Sequence, residues 1–388
     1  MGLTTSHPAL RWAVPGAVVA VVLAAAGLTA ATADASPTLP PRSAAELLVD
    51  VQTANVTALS GTVVQTADLG LPDLPIGMGG RGSADFTSLV SGTHTLRVWY
   101  AGEDQQRLAL LGTLGESDIV RNGSDVWTWS SADNTATHYQ LPTRPDATEG
   151  TAEVPESAPA MTPQQAADAA LAAIDPTTSV TTDGTAEVAD RAAYELVLAP
   201  KTASPNDASS LIGQVRIAID AEQHIPLRVR VFAKDAAEPA FEVGFSQISF
   251  DTPGPEQFQF SPPPGATVTD STLGQGAPDH AASTPPQAGA EAPGTGAEPT
   301  VVGTGWTSVL VAKMPPADSA GPTPDGTGPG ASVAGELQSV LGSLPQVSGD
   351  WGSGRLLTSA LFTVLVTDDG RVLGGAVGPD ALYAAAAQ

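Results

Sequence analysis

The chain has 388 residues, room for about two domains, and a formal net charge of −25 from 41 acidic against 16 Lys and Arg residues. Nucleic-acid phosphates and anionic lipid surfaces repel such a chain, and its acidity suits solubility outside the cytoplasm. The sequence contains 0 cysteines, which removes disulfides, thiolate metal sites, Cys nucleophiles and any lipid-modified N-terminal Cys. Hydrophobic residues make up 42% but aromatics only 5%, so a core here is built from Val, Leu and Ala.

Arg11 precedes the apolar stretch WAVPGAVVAVVLAAAGLTAATA, and small-residue cleavage patterns come after it at Ala31-Thr32-Ala33 and Ala33-Asp34-Ala35. Residues 1–35 therefore read as a secretory signal. The alternative is an uncleaved N-terminal membrane anchor, because the stretch is nearly long enough to span a bilayer. Both place the remainder outside the cytoplasm.

Ser43, three residues before Glu46, forms a capping box for an amphipathic helix that puts Leu47, Leu48, Val51 and Ala54 on one face. Six strand-like runs come next: SGTVVQTADL, HTLRVWYAG, QQRLALLG, SDIVRNG, SDVWTWS and ATHYQL. Gly, Asn or Asp punctuates them, as in an antiparallel meander. The segment LGLPDLPIGMGG places Leu69, Leu71, Leu74, Ile76 and Met78 in a loop that Pro and Gly keep from becoming a strand or helix. An exposed apolar loop marks a contact site, so this one is expected to act as a flap. After a Pro- and acid-rich loop (142–160), TPQQAADAALAAI predicts a second helix with Thr162 as cap and Pro163 at its first position. The runs AAYELVLAP, GQVRIAID, IPLRVRVF and FEVGFSQISF resume the strands. Residues 271–300 are almost all small residues and Pro and read as a disordered linker. A small α+β module over 301–388 closes the chain, with a hairpin turning at Asp368-Asp369-Gly370 and a last helix in PDALYAAAA.

Period-two alternation assigns an apolar face: Leu96, Val98, Tyr100, Leu108, Leu110, Trp127, Trp129, Tyr139, Tyr194, Leu196, Leu198, Val215, Ile217, Ile219, Leu227, Val229, Val231, Phe241, Val243 and Phe245. Arg97, Arg107, Glu195, Arg216, Arg228, Arg230 and Glu242 fall on the other face. A sheet of nine or more strands with one greasy face curls and needs a cover. Two thin helices leave two outcomes open at this point, a concave apolar groove or an ordinary filled core.

The order of these motifs resembles the LolA-type lipoprotein-carrier superfamily over about residues 43–268. DIVRNGSDVWTWS is similar to its Trp-bearing hairpin, and PLRVRV to its strand after a turn, with His224 where a turn Gly would sit. FQFSPPPGATV is similar to its closing F-x-F-x-P-P-x-G-x-x-V motif. The resemblance implies an α+β fold: a curved antiparallel sheet forming an incomplete β-barrel under a helical lid, whose hollow takes lipid or lipoprotein acyl chains. Leu96, Val98, Tyr100, Leu108, Leu110, Trp127, Trp129, Tyr139, Leu196, Leu198, Val229, Val231, Phe241 and Phe245 would line that hollow. Leu47, Leu48, Val51, Leu71, Leu74, Ile76 and Met78 would form its lid and flap. The Arg-Pro pair that precedes a cavity arginine in LolA proper is absent. Arg97 is a candidate for that arginine, although alternation puts it on the polar face. A linker and a small C-terminal module are also the layout of RseB-like envelope-stress sensors, in which a membrane-protein partner is implied.

Candidate chemistry is sparse. His7, His94, His138, His224 and His280 show no metal-ligand spacing, and no GxSxG elbow or phosphate-cradling glycine motif is present. His94 and His138 are the one pair that could meet across the sheet, and Glu103-Asp104 sits in a hairpin loop. The expectation is a non-enzymatic exported carrier or sensor of acyl chains with no cofactor, no metal and no nucleic-acid partner. The alternative is a regulatory adaptor that binds a membrane-protein partner through residues 301–388.

Overall fold

A computed structural model describes residues 39–71, 84–113, 115–141, 176–201, 210–272, 300–313 and 341–388. The predicted signal segment, the second predicted helix (162–174) and the linker core therefore lie outside the described residues, as do Leu74, Ile76 and Met78. The chain divides into two compact units.

The first unit opens with helix α1 (Ala44–Thr53). Its capping box forms as the sequence predicts: the Ser43 N–H donates to Glu46 Oε2 at 2.8 Å, and the Glu46 N–H donates to Ser43 Oγ at 3.3 Å. Twelve strands then build one sheet. They are β1 (Leu59–Ala67), β2 (Gly92–Tyr100), β3 (Gln105–Leu111), β4 (Glu116–Asn122), β5 (Asp125–Ser130), β6 (Thr135–Gln140), β7 (Thr178–Val188), β8 (Arg191–Pro200), β9 (Ile212–Asp220), β10 (Pro226–Ala233), β11 (Pro239–Ser249) and β12 (Thr267–Thr272). The order across the sheet is β12-β6-β5-β4-β3-β2-β1-β11-β10-β9-β8-β7, a curved open sheet with β12 and β7 at its two edges. β12 runs parallel to β6, whereas the meander from β1 to β6 is antiparallel throughout.

In the large sheet, two strands appear where the sequence predicts none. β7 is dominated by Thr and carries no apolar alternation, and the residues of β12 read as chain leading into the linker. Both are edge strands; β12 is mostly exposed and held by main-chain pairing, while β7 adds Val188 and Val180 to the core at its ends. His224 takes a left-handed φ of 58° in the turn between β9 and β10, the conformation that favours glycine there.

One face of the sheet is charged. Glu195 on β8 is 5% exposed and receives Arg216 from β9 at 2.9 Å, together with Arg228 and Arg230 from β10. Farther along, Arg107 donates to Asp118 at 2.8 Å and to Glu116 at 3.2 Å, while Arg97 and Arg107 lie over the Trp99 ring at 5.0 and 5.2 Å. Burial raises the Asp118 carboxyl, and Glu116 beside it adds to the shift. These outweigh the Arg107 guanidinium and leave the group pushed up to about 7.

The segment after β11 covers part of this face. A short 3-10 turn at Pro255–Phe258 lies against β3 and β4 and buries Phe258 to 1% exposure. Phe260 then sits 5.3 Å from the Trp127 ring and 6.2 Å from Trp129, ring centre to ring centre. Asn134 Nδ2 donates to the Gly265 carbonyl at 2.8 Å, and Thr267 aligns with Thr135 to begin β12. The FQFSPPPGATV motif is thus a strap: two aromatic plugs, a proline-stiffened crossing and an edge strand.

The second unit is a six-stranded sheet in the order β13-β14-β18-β17-β16-β15. Its strands are β13 (Thr300–Val302), β14 (Val309–Lys313), β15 (Gln346–Gly349), β16 (Gly352–Thr358), β17 (Thr363–Thr367) and β18 (Arg371–Gly375), and helix α2 (Pro379–Ala386) ends the chain. Asp368, Asp369 and Gly370 turn the β17–β18 hairpin, Gly370 with a φ of 85°, as the sequence predicts. Leu382 and Ala385 of α2 pack on Val309, Leu356, Leu365, Leu373 and Val377. Trp351 stacks on Tyr383 at 5.4 Å, and Arg371 donates to the Ala386 carbonyl at the C-terminal end of α2. Part of the β8–β9 connection belongs to this unit: Ser210 bridges Val377, and the Leu211 N–H donates to the Ala376 carbonyl at 2.9 Å.

Two measurements check this architecture. Phe258→Ala removes a fully buried ring from the strap and is expected to cost about 3–5 kcal/mol in urea unfolding. An Asp118 pKa raised above its unfolded value means stability that is present below pH ~4 and lost as pH rises through ~7. Unfolding free energy measured from pH 4 to 8 should therefore fall less steeply in Asp118→Asn than in the wild type.

Candidate functional site

The apolar face is assembled by register. Phe245 on β11 aligns with Val63 on β1, Val63 with Leu96 on β2, and Leu96 with Leu110 on β3. The neighbouring row runs Ile248, Gly61, Val98, Leu108, Ile119, Thr128 and Thr137. A third joins Leu59 and Tyr100 to Gln106, Arg121, Val126 and Tyr139. On the other side of β11, Val243 faces Val229 and Phe241 faces Val231. Cross-strand partners share a face, so Leu96, Val98, Tyr100, Leu108, Leu110, Tyr139, Val229, Val231, Phe241 and Phe245 lie together as expected from alternation.

Gly61 is required by this arrangement. A Cβ there would come within 2.9 Å of the Phe245 ring, so the ring fills the space a side chain would take. One extra residue in β11, at the register shift between Thr62 and Val63, bends the sheet at the same place.

Leu196 and Leu198 pair with Ile217 and Val215. Arg228 and Arg230 reach Glu195 on the charged face, which puts Leu196 and Leu198 on the apolar one. There α1 covers them: Leu47, fully buried, packs with Tyr194, Leu196 and Ile219, flanked by Leu48 and Val51. The lid helix is therefore a fixed part of the β7–β9 end. Ala54 and Val56 continue from it onto Leu227, Phe245 and Ile248. Of the flap residues, Leu71 is half-buried.

Trp127 and Trp129 correct the sequence reading. Asn122 pairs with Asp125, which sets Val120 against Trp127 and Asp118 against Trp129. Both indoles therefore share the charged face with Arg107 and Asp118. Trp127 stacks on His138 at 4.4 Å, and both tryptophans meet Phe260 of the strap. Arg97 is exposed on that same face and does not point into the hollow.

His94 and His138 do not meet. His138 bridges Asp125 at 2.9 Å and Asp270 at 3.1 Å, and the hydrogen bond to Asp125 is the main reason its pKa is raised. His94 lies opposite Gln65 on the apolar face, beside the 3-10 turn Phe86–Val90. Sequence reasoning leaves Gln65 and Val63 out of the site, although both sit at alternate positions with Gly61 in SGTVVQTA. Burial, and then Glu103, raises the Tyr100 phenol, so it stays protonated at neutral pH. Among the described residues, no cluster of three His, Asp or Glu could hold a metal ion, and no helix is long and apolar enough to cross a membrane.

No protein-family model and no curated protein matches the chain. Among solved structures it is similar to MucB in the Pseudomonas aeruginosa MucA/MucB complex, at 13% identity and a TM-score of 0.39, over 88% of this chain and 96% of that one. It is also similar to a LolA superfamily protein from Nitrosomonas europaea, at 11% identity and a TM-score of 0.20, over 57% and 99% of the two chains. A third similarity is to the Mycobacterium tuberculosis lipoprotein LppX, at 10% identity and a TM-score of 0.25, over 51% and 92%.

Proposed function

We propose that this is an exported, non-enzymatic protein that shelters lipid or lipoprotein acyl chains against the apolar face of its open sheet, as a carrier or sensor. The supporting observation is a mismatch of areas. Twelve strands at ~4.8 Å spacing span about 53 Å of sheet. The ten residues of α1 are about 15 Å long and cover the β7–β9 end. On β2 to β6, away from the β7–β9 end, Val98 and Leu108 are buried, but Tyr100, Ile119, Val126 and Tyr139 are only half-buried. Each methylene sheltered there contributes ~0.8 kcal/mol, so a dozen offset much of an acyl chain's affinity for a membrane. Titration of the full chain with a fluorescent fatty acid, together with native mass spectrometry of protein purified from an envelope, tests this. Bound lipid is expected in both, and its absence from both defeats the reading. Phe245→Glu places a carboxylate beside Val63 and is expected to fold by circular dichroism yet lose binding. Unfolding of that variant would mark Phe245 as ordinary core.

A second reading is supported by a separate observation. Val301 and Leu310 face each other across β13 and β14 of the second unit and are 62% and 50% exposed. Such a pair suits contact with another protein, in keeping with an adaptor that binds a membrane-protein partner. Leu310→Asp is then expected to reduce co-purification of a specific envelope protein while leaving lipid binding intact. Unchanged co-purification would remove this role.

A further inference from the structure

Within the apolar face lies one polar corner whose hydrogen-bonding capacity is unbalanced. Gln65 on β1 has 0% exposure, and its side chain is flanked in register by Val243 on β11 and His94 on β2. Its Nε2 donates to the Leu89 carbonyl at 3.4 Å, whereas its Oε1 is buried and has no hydrogen-bond partner among the described residues. A buried carbonyl oxygen without a donor is costly and uncommon, so its retention calls for an explanation.

His94 deepens the imbalance. Its Nε2 lies 3.1 Å from the Ser88 carbonyl and 3.2 Å from the Ser91 carbonyl. Carbonyls only accept, so in the neutral ring Nε2 carries the proton and Nδ1 is an acceptor. The neighbour of Nδ1 is Ser88 Oγ at 3.5 Å, and that hydroxyl donates to the Asp85 carbonyl at 2.6 Å. Two acceptors on paired residues of adjacent strands, Gln65 Oε1 and His94 Nδ1, thus lie buried on one face with no donor committed to them. Val63, Leu96 and Phe245 lie in the next row of the same face.

We infer that Gln65 and His94 form a donor-selective anchor for the head of a neutral amphiphile, an acyl chain whose head carries hydroxyl groups, as in a monoacylglycerol. This rests on the acyl-chain reading of the same face. A hydroxyl donates to either acceptor, and the attached chain continues over Val63 and Leu96. A carboxylate or phosphate head adds only acceptors and is repelled by both. An ester with no hydroxyl leaves both acceptors as they were. Selection is therefore against charge and in favour of O–H groups.

The test uses the full chain and three probes of equal chain length: 1-monooleoylglycerol, methyl oleate and oleate. Affinities are read by tryptophan fluorescence and competition in native mass spectrometry. One buried hydrogen bond is worth about tenfold in affinity, so monooleoylglycerol is expected to bind about tenfold tighter than methyl oleate, with oleate weakest. Gln65→Leu, with its fold checked by circular dichroism, should weaken monooleoylglycerol about tenfold while methyl oleate changes less than about twofold. The ordering of the three probes on the wild type needs no variant and stands alone as a test. Equal affinities, or a preference for oleate, overturn the anchor while leaving an acyl-chain site in place. A Gln65→Leu variant that weakens both esters equally makes the amide structural, and one that changes neither makes the corner a place for buried water only. If none of the three probes binds, the acyl-chain reading falls and the anchor with it.

Discussion

Strand register commits every side chain of the large sheet to one of two faces, because successive residues of a strand point in opposite directions. The row Phe245, Val63, Leu96 and Leu110 illustrates the consequence. A slip of one residue in β2 would turn Arg97 and Trp99 into the hollow and Leu96 and Val98 out of it. The hairpin turns hold against that slip. Gly123 has a φ of 65° in the two-residue turn between β4 and β5, where Asn122 meets Asp125. Fixing that pairing fixes the tryptophans, the arginine cluster and the polar corner together.

That dependence separates what the sequence discloses from what it does not. Alternation within HTLRVWY or FEVGF gives the two sets of each strand, and burial decides which set is inward because one is apolar and the other charged. The rule fails in SDVWTWS, where both sets contain apolar residues. The large indoles suggest an inward face, yet the short turn after β4 puts Val126 and Thr128 there and leaves Trp127 and Trp129 beside Arg107 and Asp118. Their cover comes from Phe258 and Phe260, more than a hundred residues later, a long-range partner that a local pattern does not reveal. β7 and β12 escape notice for another reason. Both are edge strands of largely polar residues without apolar alternation, paired to one neighbour only. The motifs from α1 to the strap carry the open sheet legibly, whereas Gln65 looks like any polar residue in a Thr-rich strand until its neighbours are placed.

Most of the charge on the sheet is sorted to one face, Arg121 being an exception. The chain is strongly acidic, yet Arg97, Arg107, Arg228 and Arg230 project from one face of the sheet, with Glu195 and Asp118 buried among the guanidinium groups. Buried ion clusters add little net stability against apolar packing, but removing one partner is costly. They therefore resist inversion of the sheet more than they strengthen it. The opposite face carries mostly neutral groups between its apolar rows, including the phenol of Tyr100, whose ionisation burial opposes, with Arg121 paired to Asp104 at the hairpin end.

An apolar face on an open sheet is ordinarily eliminated by closure into a barrel, which also removes the edges. Here closure is blocked at both ends. The strap carries the chain across the charged face and delivers β12 to the edge of β6 in parallel orientation, where its side chains are mostly exposed. β7 offers Thr, Asp183 and a Gly184 with a φ of 71°, a kinked polar edge poorly suited to further pairing. With its edges capped separately and α1 fixed at one end, the sheet keeps its curvature without closing. Leu96, Val98, Leu108 and Leu110 are buried, whereas Tyr100, Ile119, Val126 and Tyr139 stay half-buried and leave apolar surface to be covered by something other than the sheet itself. In the proposed acyl-chain reading a ligand with a long apolar chain would meet that requirement, and the two acceptors at Gln65 and His94 would restrict which head group it carries.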